Sequence, residues 1–500
     1  MFITTMWLRG FPILTCMCVL VMIWIGAEGV RGTDQYWYVA DVERIVDDLP
    51  LVTNTYFPGE MLRRNAVPDP NYIHHNSPML YIVAFIGSIL SVYNAWIFAN
   101  IACHLIVASV IYSLSIKFTD QVIATLVASF YLLSPIAIWQ AINPLLEMYY
   151  SALVALVLWC FFNRQNVWCT VCLVLLLALG LVSHPIFFVP AIVYGMVLVY
   201  ENRRLKCLYL LGIGGAYLSS MLFLLHFKGQ WLPSSFQPSI SAIVASAVPG
   251  KSNMFWHYAE ELPKINFELM MSKTISAIKK HIIEPRFVPF YIFTNVGILA
   301  GVYLTVTHLR RLWFVLVPLG LFGIQYVAMI LLQQNHPRFQ QIVAVVTFLM
   351  IALAIKHVSY TRLRGKFRIP LIGIVFLCLL AVNSFLVHTA KNESVIEDQD
   401  IRSINHIIQQ VSKDEEMRIV TIDVMPHNPF SYATRPNSTL FIRSDMLEIS
   451  QIEKAINLFE PNLVIVRNSE SVIDLSAYKI VGRIESQRFG ELELYFVGRS

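Results

Sequence analysis

Pro78-Met-Leu-Tyr-Ile-Val-Ala-Phe-Ile-Gly-Ser-Ile-Leu-Ser91 is an apolar run of about 14 residues without a charge. A helix needs about 20 residues to cross the hydrocarbon core of a bilayer, and one of about 10–14 suits an interfacial or re-entrant segment. Whether this stretch crosses decides the fold, because every later loop changes sides with it.

The surroundings make the question one of membranes. Of 500 residues, 56% are hydrophobic and only 14% charged, against about a quarter charged in soluble proteins. Stretches free of Asp, Glu, Lys and Arg occupy 10–27, 94–116, 121–141, 148–163, 165–182, 184–200, 207–227, 287–307, 312–332, 339–355 and 369–390. The composition therefore predicts a polytopic α-helical membrane protein of about 11 spans. The stretch Phe11 to Ala27 could serve as a signal peptide, but the preceding MFITTMWLRG holds a single arginine and is itself apolar. It reads better as an uncleaved first helix.

Charge settles the parity. With the N-terminus inside and 78–91 lying on the surface, the inner loops carry Lys117, Arg164, Arg203-Arg204-Lys206, Arg310-Arg311 and the run KHVSYTRLRGKFR at 356–368. The short outer loops, near 142–147, 183 and 333–338, hold only Arg338. Letting 78–91 cross would turn five basic loops outward, against the positive-inside rule. Because the net charge of +5 resides in these loops, it gives no sign of a nucleic-acid partner. The eight cysteines lie in or beside apolar segments and read as core residues, with no disulfide or zinc spacing.

Three regions then face outward: loop 28–93 with its juxtamembrane helices, loop 228–286, and the tail from 391. The tail, 391–500, reads as a small soluble α/β domain beside a membrane domain of 1–390. A helix-like Ile396–Val411 precedes the strand MRIVTID, a second helix at Glu448–Phe459 leads into NLVIVR, and YKIVGRIE with ELELYFVG suit a hairpin.

The candidate chemistry gathers at the outer face. In GTDQYWYVADVERIVDD (32–48), Asp34, Asp41 and Asp48 fall seven apart, beside an apolar strip of Tyr38, Val42, Ile45 and Leu49. This spacing predicts a helix along the interface with its carboxylates at the water boundary; an N-cap and a solvated face would give the same pattern. Glu147 in NPLLEMYY, His184 in SHPIFF, Arg338 in QQNHPRFQQ and the pair His74-His75 all sit at outer span ends. Each alone suits a dipole-favoured acid, a snorkelling anchor or a satisfied interface residue. Together they put acids and bases within reach of a substrate in the outer leaflet.

The first-loop pair Asp34 and Tyr38 resembles the acidic motif of the GT-C superfamily of integral-membrane glycosyltransferases. HHNSPMLYIVAFIGSIL is similar to that superfamily's "HPPLYY…FG" segment. LLSPIAIWQ followed by Glu147 resembles its second acidic loop, and HPRF its late arginine turn. The likeness covers most of the chain and is nearest to the bacterial protein-mannosyltransferase-like and lipid A aminoarabinose-transferase-like branches. The chain departs in having Asp34-Gln35 for Asp-Glu, Asn76-Ser77-Pro78 for His-Pro-Pro, Glu147 for aspartate, and no lysine or arginine near His184.

The resemblance implies inverting transfer of a sugar from a polyprenyl-phosphate carrier to an envelope glycan, lipid or protein, outside a bacterial inner membrane. It makes Asp34 the general base and Arg338 the partner of the departing phosphate. Glu147 would orient the acceptor, or join Asp34 in holding a divalent cation. Tyr38, Asp41, His74, His75 and His184 would contact substrate. The rival readings are a polysaccharide polymerase or ligase, built around loop 228–286, and a transporter or flippase of a lipid-linked saccharide. Transporters gather ionisable groups near the midplane, where this chain has few (His104 is one).

Overall fold

The computed structural model describes residues 13, 15–24, 33–48, 55–67, 77–201, 212, 214–215, 275, 288–331, 337–362, 377–385, 387–388, 403–404, 406–410, 417–424, 437–467, 479–486 and 490–496. In chain order its helices are α1 (Thr15–Trp24), α2 (Thr33–Val46), α3 (Pro58–Arg64), α4 (Pro78–Gly87), α5 (Val92–Phe118), α6 (Gln121–Leu132), α7 (Pro135–Ala141), α8 (Glu147–Phe162), α9 (Val167–Ser183), α10 (Phe188–Glu201), α11 (Val288–Leu331), α12 (Ala344–Arg362) and α13 (Ile449–Phe459). The strands are β1 (Thr55–Tyr56), β2 (Arg418–Ile422), β3 (Ser438–Ile442), β4 (Leu463–Arg467), β5 (Lys479–Ser486) and β6 (Gly490–Phe496). The chain divides into two units. One is drawn from 1–27, 75–237 and 274–389, the other from 28–74, 238–273 and 390–500.

The first unit is helical and membrane-integral. Among the described residues, Val92–Phe118, Ile292–Ile324 and Gln340–Val358 are long and apolar enough to cross, and the bent pair α6–α7 makes a fourth. Of the stretch 207–227 only residues 212, 214 and 215 are described. Helix α4 is ten residues long, about 15 Å, or half the hydrocarbon thickness. Ser77 caps it by accepting from the Met79 N–H, and Pro78 fills its first turn. Met79, Leu80, Val83, Ala84 and Gly87 are buried, while Phe85 is 73% exposed. A short turn then starts α5.

The stretch 121–141, expected as one span, is broken. The α6 and α7 axes meet at 53° around Leu133 and Ser134. Pro135 has no N–H to continue the ladder and drives Ser134 into an extended conformation (φ −63°, ψ 126°). The Leu133 carbonyl is satisfied from elsewhere, by the Asn383 side-chain amide at 2.8 Å. Helix α8 is buried almost all round, as suits the centre of a bundle.

Helix α11 cannot run straight. On a straight helix Thr294 and Ile324 would stand about 45 Å apart. Both nevertheless line one cleft together with Val343, Val346, Thr347 and Met350, which span about 10 Å of the following helix. Its first limb follows α12 in parallel: a methyl group at Gly297 would lie 2.6 Å from the Thr347 side chain, and the His308 and His357 rings lie 4.3 Å apart. The second limb packs on α10, where the Tyr194 hydroxyl donates to the Pro318 carbonyl at 2.7 Å. The two limbs meet across that cleft.

The second unit holds a six-stranded sheet in the order β1-β3-β2-β4-β6-β5. Strands β1, β3, β2 and β4 are parallel, and β4–β6–β5 run antiparallel. The period of two sorts its side chains. Ile419, Phe441, Leu463 and Ile465 face the helical residues Ile404 and Ile408, while Val420, Leu440, Val464 and Val466 face α13. Helix α13 presents Ile452, Ala455, Ile456 and Phe459 to the sheet and begins with a Glu448/Gln451 capping box. Strand β1 comes from the first loop, so residues 391–500 do not make this sheet alone. Tyr56, Met61 and Leu62 share the core of α13, and the Tyr56 ring lies 5.5 Å from that of Phe459.

Candidate functional site

Asp34 is the second residue of α2, and its side chain is outside the described ones. The apolar strip of α2 faces protein: Tyr38, Val39 and Val42 are buried, whereas Asp41 is half-buried and Asp48 exposed. The burial of Val39 widens the strip beyond the one expected from the sequence. His74 and His75 lie outside the described residues. Arg338 belongs to a 3₁₀ segment, Pro337–Val343, and its side chain is likewise outside the described ones.

In the first unit the turn before α8 is built to deliver Glu147. The Asn100 amide of α5 donates to the Asn143 carbonyl at 2.6 Å and to the Gln140 carbonyl at 3.3 Å. The Leu145 N–H returns to the Asn143 carbonyl at 2.8 Å. Glu147, first residue of α8, is only 3% exposed. A carboxylate so placed is costly unless polar groups meet it.

Gln341 of the 3₁₀ segment donates to the Tyr131 hydroxyl (2.8 Å) and to Ser151 (3.4 Å), and reaches the Met148 sulfur at 3.5 Å. Tyr131 also meets His104 Nδ1 at 3.2 Å. All of these side chains are fully buried. One turn after Glu147, the Tyr150 ring packs on His184 at 4.8 Å. His184 terminates α9, and its Nδ1 accepts from the Ile186 N–H at 3.2 Å.

The structure thus gathers Glu147 and His184 through α8, and joins α8 to the segment that carries Arg338 through Gln341. Sequence reasoning passed over Gln341, Tyr131 and Tyr150. The available signal was the pair Gln340-Gln341 opening an otherwise apolar stretch, together with His104 inside another. Among the described residues no group of three His, Cys, Asp or Glu side chains could hold a metal ion.

No family model matches the sequence, and no curated protein matches it. Solved structures do. The oligosaccharyltransferase of Archaeoglobus fulgidus, solved with zinc and sulfate, superposes with a TM-score of 0.55 at 12% identity, over 90% of this chain and 68% of that one. The mycobacterial arabinofuranosyltransferase AftD gives 0.51 at 11% identity, over 98% of this chain and 40% of that one. ArnT from Cupriavidus metallidurans, bound to undecaprenyl phosphate, gives 0.47 at 11% identity over 98% of each chain. The chain therefore shares its fold with the oligosaccharyltransferase and with AftD.

Proposed function

We propose that this protein is a glycosyltransferase that moves a sugar from a polyprenyl-phosphate carrier to a cell-envelope acceptor, with inversion at the anomeric carbon. The observation that carries the reading is the fold, shared across nearly the whole chain with an oligosaccharyltransferase and an arabinofuranosyltransferase. The buried acid at the head of α8, and the contacts of Tyr150 with His184 and of Met148 and Ser151 with the 3₁₀ segment, support it.

In this reaction an acceptor hydroxyl attacks the anomeric carbon, the bond from that carbon to the phosphate oxygen breaks, and its electron pair leaves with the lipid phosphate. Asp34 takes the hydroxyl proton, a role worth about 10²–10⁴ in rate for a well-placed base. Arg338 meets the departing phosphate, since a guanidinium stays charged and its planar fork fits phosphate oxygens. Glu147 orients the acceptor. Tyr38, Asp41, His74, His75 and His184 complete the substrate contacts. On this reading the membrane domain has about eleven spans, and the reaction occurs on the extracytoplasmic side of a bacterial inner membrane.

The test uses the purified full-length protein in nanodiscs with a panel of polyprenyl-phosphate sugars and crude envelope acceptors. Release of free polyprenyl phosphate by the wild type, and its loss in Asp34→Asn at an unchanged melting temperature, is expected. Transport of lipid-linked sugar across a vesicle membrane with no donor consumed would overturn the proposal.

A further inference from the structure

The basic end of α11 and α12 carries groups that the transfer reaction does not use. His308 and His357 stack at 4.3 Å. The charged neighbours of His357 are His308, Lys356 and Arg311, all basic. The Lys356 ammonium donates to the Phe118 carbonyl at 2.7 Å, which holds the cluster against the end of α5. Arg310 and Arg311 are exposed, and beside them Trp313 and Phe314 are 62% and 50% exposed. Basic residues with exposed aromatic rings mark the level of lipid head groups.

One turn from His308 opens the cleft between the limbs of α11 and the start of α12, with a volume of about 450 Å³. Its walls include Gly301, Val302, Thr305, Leu316, Gly320 and Met350. From Thr294 to Val306 the wall runs about 18 Å, close to the roughly 15 Å depth of one leaflet's hydrocarbon. The glycines keep it open: a methyl at Gly320 or Gly323 would meet nothing within 4 Å, and one at Gly301 would only just touch Met350.

We propose that this cleft is a binding site for an anionic glycerophospholipid, with one acyl chain between the limbs of α11 and the phosphate against Arg311 and the His308–His357 pair. Charge complementarity selects the occupant: Arg311 and Lys356 offer positive charge to a phosphate, and the cleft matches a single-leaflet chain rather than a long isoprenoid. The cationic end of the site, at 308–311 and 356–357, stands apart from Asp34, Glu147 and Arg338 in sequence, and the proposal does not rest on the transferase reading.

Native mass spectrometry of the full-length protein in detergent reads the bound lipid directly. The probes are phosphatidylglycerol and phosphatidylcholine with identical chains, inorganic phosphate, and polyprenyl phosphate. The wild type is expected to retain phosphatidylglycerol over phosphatidylcholine, and inorganic phosphate should not displace it. Arg311→Gln should weaken phosphatidylglycerol about fivefold and leave phosphatidylcholine unchanged. Gly320→Leu, whose Cβ meets nothing within 4 Å and whose side chain takes up space in the cleft, should abolish retention of phosphatidylglycerol. The melting temperature of each lipid-free variant controls for folding, and Arg311→Gln, at an exposed position, decides alone should Gly320→Leu misfold. Equal retention of the two phospholipids, wild-type retention by Arg311→Gln, or displacement by equimolar polyprenyl phosphate would each overturn the proposal.

Discussion

The Gln341 side-chain amide donates to the Tyr131 hydroxyl at 2.8 Å, joining residues 210 positions apart. Both groups are fully buried, so water cannot replace either one. Gln341→Leu should destabilise the protein by about 1–3 kcal/mol, the cost of stranding a buried polar partner. Tyr131→Phe should cost less, because Gln341 keeps Ser151 and Met148. The double variant should cost less than the sum of the two, and thermal unfolding in detergent gives the coupling. Additive losses would mean that the two groups do not interact.

Glu147 is buried at the head of α8, where a chemical role and a structural one predict different outcomes. Glu147→Gln preserves shape and hydrogen-bonding capacity but removes the charge. On the transferase reading, donor consumption should fall about a hundredfold, the scale for a misplaced reactant, while the melting temperature stays near that of the wild type. A large drop in melting temperature, with activity per folded molecule intact, would make Glu147 a structural residue.

The sequence made some of this legible and not the rest, for physical reasons. Some elements could be read: the apolar, β-branched run in NLVIVR, the 3–4 spacing in α13, and the short apolar α4. Strand β3 was missed because STLFI lacks alternation, its residues from Thr439 to Ile442 being buried on both faces. Strand β1 was missed because two residues carry no period at all; only its partner strand defines it. The break at Ser134 was written in Pro135, yet hydropathy runs smoothly through it. Among the candidate site residues, Glu147 and His184 carry a visible mark in the sequence, an ionisable group at a span end. The neutral Gln341, Tyr131 and Tyr150 carry no such mark, and only packing joins them to α8 and His184.

At the opposite end of α8, Arg164 holds Glu201 by two hydrogen bonds of 2.7 Å each. Chiefly through that contact, the Glu201 carboxyl is held below its ordinary range. Its stabilising contribution is therefore present above the unfolded-state value, near 4.5, and is lost as pH falls through the lower folded value. The pair is partly exposed, so screening by solvent limits it to about 0–1 kcal/mol. Glu201→Gln should flatten the melting temperature's dependence on pH below about 4.5. Arg164→Gln should cost more, because Arg164 also donates to the Phe161 carbonyl at the end of α8 (3.0 Å) and lies over the Phe161 ring. Equal effects of the two variants at neutral pH would refute this division.

In the sheet unit, Asp423 follows β2 in the left-handed region at φ 57°. Its carboxylate accepts from the Ser444 N–H at 2.8 Å and from the Ser444 hydroxyl, tying the ends of β2 and β3. Asp423→Ala loses both bonds and puts a side chain without local hydrogen bonding where φ is positive, so it should destabilise by about 2–4 kcal/mol. Asp423→Gly loses the same bonds without the backbone strain and should be milder by about 1 kcal/mol. Limited proteolysis of the full-length protein, following cleavage between β2 and β3, ranks the two. An alanine variant as resistant as the glycine one would show that the backbone conformation, not the contact, has been misjudged.

Tyr56 offers the last test, because it ties the first loop to the sheet. Strand β1 is two residues long and pairs with Thr439 and Leu440; so short a strand is stabilised mainly by its side chains. Tyr56 is buried against Phe459, and Met61 and Leu62 lie in the same core. Tyr56→Ala should cost about 3–5 kcal/mol, as for a large buried aromatic. Much of that loss should be local: β1 and α3 should release from the sheet before the rest of the unit unfolds, which hydrogen exchange of residues 55–64 would register as lost protection. Helix α2, with Asp34 in its first turn, joins this anchor through only the short connection 47–54. On the transferase reading, donor consumption should therefore fall in Tyr56→Ala, and Tyr56→Phe, which keeps the ring, should restore it. Loss of activity in Tyr56→Phe as well would move the role from packing to the hydroxyl. Full activity in Tyr56→Ala despite lost protection would show that the placement of Asp34 does not depend on this strand.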